Sequence, residues 1–458
     1  MRSPHLSMTS PSSEVSELPP FSAGSGERAA WHALADGELR RRAWSAVEEI
    51  ERSLVEGLSS GSIGGAVAAG NPTLAGGLAG LALFFAYLDA ARPGSDAGER
   101  ALDVLGRSID GLSTWTVDPS LYSGFCGVGW VVAHLTRELF EGDEDQLGAI
   151  DEVVAGLLAG PEPMPYELVR GVSGFGTYLV ERLPDPGAAV RLGRVLDRLE
   201  ATAEDAPDGR TWFTLPAWEQ DRQRGVLPDG CYNLGVAHGV PGVLGLLASA
   251  RREGFADPRL APLADQIVRW LLAQRLPAGG NSVFPAYFGP GAPPQPARTA
   301  WCYGDLGIAA VLLSAARSFG RPDWEDEALA LARLAATRSE EAAGALDACL
   351  CHGTAGNAHL LLRLHHATGD PILGDAALEW LGRTLEHRRP GEAVAGFPTW
   401  LPELAGDGGE WYPDPGFLMG AAGVGLALLA AVSDVEPAWD RVMLISVPPG
   451  PGQEDDRR

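Results

Sequence analysis

Two cysteines and a histidine carry the strongest chemical signal in this chain: Cys302, Cys351 and His352. They sit just before Gly-x-x-Gly pairs, in WCYGDLG (301–307) and CHGTAG (351–356). Equivalent turns would therefore bring donors 49 residues apart to equivalent places. Two thiolates and an imidazole are donors that Zn²⁺ prefers in a tetrahedral site, and a set of three keeps a fourth position for water or substrate. The alternative is a pair of core cysteines beside a hydrogen-bonded core histidine. Cys349 competes as a ligand, Cys126 lies inside another glycine pair and reads as core, and Cys231 falls near the same end. The residue directly before the first glycine is also large and polar in four consecutive pairs: Arg170, His238, Tyr303 and His352.

The elements that must position these side chains are helices. Segments such as AWSAVEEIERSLVEGL and LADQIVRWLLAQRL place apolar residues at i, i+3, i+4 and i+7. A Gly-x-x-Gly pair followed by a Leu/Val/Ala run occurs seven times, beginning at Gly77, Gly124, Gly171, Gly239, Gly304, Gly353 and Gly420. The intervals are 47, 47, 68, 65, 49 and 67 residues. Forty-seven residues hold a helical hairpin, and the longer intervals imply loop insertions. The runs after the glycines are apolar on most faces and read as buried helices, while the segments between them are amphipathic. The expected fold is all-α, a double-walled α/α toroid with a small strand-bearing insertion, for which WFTLPAW (212–218) is the best strand candidate. One domain is expected over 28–445, with disordered tails at 1–27 and 446–458.

Composition removes several function classes. The chain of 458 residues has a net charge of −25. It shows no basic stripe for a phosphate backbone, so no nucleic-acid partner is expected. It contains no lysine, which excludes a Walker A lysine, a Schiff-base lysine and a kinase lysine. Five cysteines in so long a chain point to thiol or metal chemistry in a reducing compartment. No apolar run reaches the roughly 20 residues needed to span a bilayer. A cytoplasmic location is expected.

NLGVAHGVPGVLGLL (233–247), RTAWCYGDLGIAAVLL (298–313) and CHGTAGNAHLLLRL (351–364) together resemble the lanthionine synthetase C family, in type, order and approximate spacing. YELVRGVSGFGTYLV (166–180) looks like that family's third repeat, and the likeness covers roughly residues 40 to 430. It implies a toroid with one zinc held by Cys302, Cys351 and His352. It also implies addition of peptide cysteine thiols to dehydroalanine or dehydrobutyrine, closing thioether rings. His238, Tyr303 and Arg298 fall where the family places acid/base and charge-stabilising residues. Glu167 stands where the family commonly has an aspartate, which keeps the carboxylate and adds a methylene.

The implied substrate is a dehydrated precursor peptide supplied by a separate dehydratase. Arg298 would stabilise the enolate formed on addition, and His238 would take the thiol's proton or deliver one to the α-carbon. Two alternatives remain at this stage. One is a non-catalytic scaffold of the same family that binds zinc or glutathione. The other is a zinc-dependent prenyltransferase-like barrel, which would need a carboxylate ligand and a basic diphosphate pocket.

Overall fold

Each of the seven glycine pairs opens a buried helix in the computed structural model, which describes residues 31–63, 67, 70–140, 147–218, 227–402 and 408–448. These inner helices are Leu78–Ala91, Phe125–Glu138, Val172–Glu181, Val240–Arg252, Asp305–Phe319, Thr354–Thr368 and Ala421–Val432. Each packs on the next, and Ala421–Val432 packs on Leu78–Ala91, so the ring closes. Apolar residues all round a helix are what a position between two neighbours and an outer layer demands.

Six outer helices each follow their inner partner: Ala97–Gly111, Gly148–Ala159, Pro186–Thr202, Leu260–Ala273, Pro322–Ala336 and Pro371–Glu386. The seventh, Gly37–Ser60, comes from the start of the chain and packs on the last inner helix. The architecture is thus an α/α toroid whose final hairpin is assembled from both ends of the sequence. The tail residues 1–27, and 449–458 of the other tail, lie outside the described residues. Ser446 is hydrogen-bonded to the ring through its carbonyl, which accepts from Arg252 Nη1 at 2.7 Å.

The glycines are required by a close approach repeated seven times. Before each inner helix a six-residue loop folds beneath the helix start. A Cβ on any first glycine would lie 2.1–2.6 Å from the carbonyl oxygen six residues earlier. A Cβ on any second glycine would lie 1.8–2.5 Å from the corresponding carbonyl. Five of these loops begin with an Asn or Asp whose side chain accepts the backbone N–H two residues on: Asn71, Asp118, Asn233, Asp347 and Asp414. Pro165 and Arg298 replace that residue in the other two.

The loops are stitched into a circle. The residue two before each first glycine donates its N–H to its counterpart in the next repeat. The bonds run Leu418 to Ala75, Ala75 to Tyr122, Tyr122 to Val169, Ala237 to Cys302, Cys302 to Cys351 and Cys351 to Leu418, at 2.9–3.4 Å. Between Val169 and Ala237 the circle has a seam, where the Val169 N–H turns to the Glu167 carboxylate at 3.0 Å instead.

The three longer intervals hold the strands. Glu204–Ala206 pairs with Gly209–Thr211, and a four-stranded antiparallel sheet runs Phe213–Thr214, Cys231–Asn233, Pro285–Gly289, Ala292–Pro296. Thr399–Pro402 pairs with Gly409–Tyr412, with Trp400 opposite Trp411. The stretch 212–218 is only partly strand. Pro216, which has no N–H for a ladder, starts the 3-10 turn Pro216–Trp218.

Candidate functional site

The loop circle brings Cys302, Cys351 and His352 together, with the Sγ and ring-nitrogen atoms all within 4.8 Å of one another. Cys302 Sγ lies 4.0 Å from His352 Nδ1, and the Cys302 N–H donates to the Cys351 carbonyl. Both cysteines are buried and His352 is partly exposed. Tetrahedral zinc bonds of about 2.3 Å to sulfur and about 2.0 Å to nitrogen would set donors roughly 3.5–3.8 Å apart. The residues present therefore fit a metal in both type and spacing.

The electrostatics suit a cation as well. The Cys302 thiol is held well below its usual pKa by a hydrogen bond from Cys351, against the cost of burial, with help from His352 and the Arg298 charge. Cys351 is pushed the other way by that same bond and by burial.

Asp347, Cys349 and His352 form a second close group. Its donors are already engaged, because Asp347 accepts the N–H groups of Cys349 at 3.0 Å and Trp400 at 2.9 Å. Cys349 Sγ accepts the His352 N–H at 3.4 Å. This favours Cys351 over Cys349 as the ligand. Cys126 and Cys231 are both buried.

His238 and Glu167 meet across the seam in the circle, with His238 Nδ1 2.8 Å from Glu167 Oε2. Glu167 also accepts the backbone N–H groups of Val169 and Arg170, at 3.0 and 2.6 Å. Burial works against charge on His238, but the hydrogen bond and charge of Glu167 outweigh it, and the net direction is upward. Arg170 opposes this rise, and Cys302 contributes to it. Tyr303 stacks on His238 with ring centroids 6.0 Å apart, and its hydroxyl accepts from Asn233 Nδ2 at 3.0 Å.

Arg298 is exposed, and its charge acts to lower the pKa of both Cys302 and Cys351. It occupies the loop position that five other repeats give to a turn-forming Asn or Asp, so the repeat carrying Cys302 exchanges a local structural bond for a cation. Sequence reading did not single out Asn233. The signal was present, because Asn233 stands in register with the other turn-forming Asx residues.

The sequence matches the family described as Lanthionine synthetase C-like protein over residues 68–444. The chain belongs to that family. Among its relatives in the lanthionine synthetase C-like family, Glutathione S-transferase LANCL1 of Danio rerio is 24% identical over 310 residues, spanning 64% of this chain and 70% of that one. Nisin biosynthesis protein NisC of Lactococcus lactis subsp. lactis is 24% identical over 314 residues, spanning 63% and 72%. The solved structure of nisin cyclase superposes with a TM-score of 0.67 at 20% identity, covering 82% of this chain and 92% of that one. At that identity the likeness establishes a shared fold. Among the described residues, no helix is long and apolar enough to cross a membrane.

Proposed function

We propose that this protein is a lanthipeptide cyclase that adds cysteine thiols of a dehydrated precursor peptide to dehydroalanine or dehydrobutyrine. The observation that carries the reading is the Cys302–Cys351–His352 donor cluster on the same loop circle as the His238–Glu167 pair. We read residues 28–445 as one domain working in the cytoplasm on a peptide prepared by a separate dehydratase.

Zn²⁺ held by Cys302, Cys351 and His352 would supply Lewis acidity that favours the deprotonated form of a substrate thiol. The chain's own residues manage the proton and the developing charge. In the reaction the sulfur–carbon bond forms at the β-carbon, the alkene π bond breaks, and a proton passes in net from sulfur to the α-carbon. Glu167 holds His238 Nδ1, which orients the ring and assigns proton transfer to Nε2. The same carboxylate favours the imidazolium, so His238 accepts a proton readily and keeps one to deliver. Arg298 brings a permanent cation to the enolate oxygen. Tyr303, oriented by Asn233, flanks the imidazole.

A second reading has support from one relative, the zebrafish protein named as a glutathione S-transferase. The same groups would then direct the glutathione thiol to an electrophile. The purified protein, incubated with a dehydrated Cys-containing peptide with and without glutathione, separates the two. Ring closure without glutathione, read as loss of alkylatable thiols, supports the cyclase. A glutathione adduct with the peptide thiols intact supports the transferase. The variant His238→Ala retains its metal and slows the reaction by about 10²–10⁴-fold if that residue is the acid/base.

A further inference from the structure

The segment that follows the last inner helix turns back into the ring. Ala438–Met443 forms a 3-10 turn in which all six residues are buried. Leu444 follows at φ 60°, a left-handed conformation uncommon for a branched side chain, and lies against Gly245 of an inner helix. Charges fix this segment where the inner helices end. Asp440 pairs with His359 at 2.9 Å and Arg363 at 2.8 Å. Arg441 pairs with Glu181, Glu138 and Glu253 at 3.1–3.3 Å. Three inner helices, and the residue that follows a fourth, supply those partners.

The segment's other contacts point toward the metal cluster. The Met443 carbonyl accepts from Trp301 Nε1 at 2.9 Å, and the Val442 carbonyl accepts from the Tyr122 hydroxyl at 3.1 Å. Trp301 is the residue before Cys302 and is almost wholly buried. Tyr122 is a member of the loop circle and packs on Trp301 at 5.7 Å between ring centroids. Buried carbonyls need partners. Those of Val442 and Met443 receive theirs from Tyr122, in the loop circle, and from Trp301, the neighbour of Cys302.

We propose that the Ala438–Met443 turn is an internal strut that sets the positions of Cys302 and Cys351 through Trp301 and Tyr122. These two are positioning residues, since neither is a ligand. An ion-paired segment inside the ring cannot shift without breaking several buried contacts, so the loops hydrogen-bonded to it inherit its rigidity. The effect on metal affinity rests on the metal-site reading given above; the effect on the cysteines themselves does not.

The test uses full-length Trp301→Phe and Tyr122→Phe, which each remove one donor and leave an aromatic ring in place. The control is Trp212→Phe, which makes the same indole-to-phenyl change and removes a comparable bond to the Leu199 carbonyl, 2.9 Å long, in an outer helix. Zinc affinity is measured by chelator competition. Alkylation rates of Cys302 and Cys351 are measured in metal-free protein by mass spectrometry. Each mouth variant should weaken zinc binding about fivefold, the effect of one hydrogen bond, and should speed alkylation, while Trp212→Phe matches wild type. Both mouth variants matching wild type in the two readouts would overturn the strut, as would an equal shift in Trp212→Phe. If wild type itself holds no zinc, the metal reading fails, and the strut stands or falls on the alkylation rates alone.

Discussion

Two Glu–His pairs made through the imidazole Nδ1 sit among the described residues of the ring, with opposite consequences. Glu167 meets His238 at 2.8 Å and Glu181 meets His134 at 2.9 Å. His134 is wholly buried, stacks on Trp130, and has both ring nitrogens engaged, Nδ1 by Glu181 and Nε2 by the Tyr87 hydroxyl at 2.8 Å. His238 keeps 22% of its side chain exposed, and its carboxylate partner holds Nδ1. The first pair is a knot in the packing, and the second presents a nitrogen to whatever enters. Residue type and pairing distance thus do not distinguish the proposed acid/base from a core contact. Exposure and the partner of the second nitrogen do.

The largest expected difference between the two regions comes from removing a thiol. Cys302→Ala or Cys351→Ala should abolish zinc binding and ring closure, because two donors do not make a stable site. The loop hydrogen bonds that Cys302 and Cys351 give to the circle are made by their backbone, so the fold should survive, with far-ultraviolet circular dichroism unchanged. Retained stoichiometric zinc in either variant would transfer the ligand role to Cys349.

At the other region the loss should appear in stability. Arg441→Met strips the common cation from Glu138, Glu181 and Glu253 and should cost about 3–5 kcal/mol in denaturant unfolding. Acid should reach the same cluster. Burial opposes ionisation of Glu253, but Arg441, Arg252 and Arg137 together bring its pKa down to about 2. A carboxylate depressed in the folded state contributes stability that is present above its unfolded value, near 4.5, and is lost as pH falls toward 2. For Glu253 alone that is about 3 kcal/mol. A stability profile flat from pH 5 to pH 2 would contradict the arrangement.

How much of this was legible follows from which interactions are local. The glycine pairs are sequence signals because each answers a clash within its own six-residue loop, so seven copies revealed seven inner helices. Register then delivered Cys302, Cys351, His352 and His238 to one end without any contact being known. The His238–Glu167 bond links positions 71 residues apart, and only resemblance singled out Glu167. The pairing of Gly37–Ser60 with the last inner helix was not readable, because nothing in an amphipathic segment names a partner at the opposite end of the chain. The strut was missed for a related reason. Asp440 and Arg441 are charged residues in a short segment, which from sequence alone reads as surface, and their burial depends on partners spread over several helices. The strands in the 47-residue-plus intervals were visible as extra length, but only one of the three was recognised as strand-like.

The smallest expected effect sharpens the comparison most, because it makes one substitution in both pairs. Glu181→Gln leaves Arg441 short of a countercharge and should lower stability with little change in the rate of ring closure. Glu167→Gln should slow ring closure about tenfold, the equivalent of a charge-assisted hydrogen bond of about 1.4 kcal/mol. The pH dependence gives a signature that a packing defect would lack. His238 has a folded pKa above its ordinary 6.5. The stability it gains from Glu167 is therefore fully present below about pH 6.5 and disappears as pH rises through the raised folded value. The stability difference between wild type and Glu167→Gln should be widest at pH 6 and narrow on the alkaline side, and the pH–rate profile of the variant should move to lower pH. Nuclear magnetic resonance titration of the His238 ring checks the assignment directly, and an unchanged His238 titration in Glu167→Gln would remove Glu167 from the mechanism.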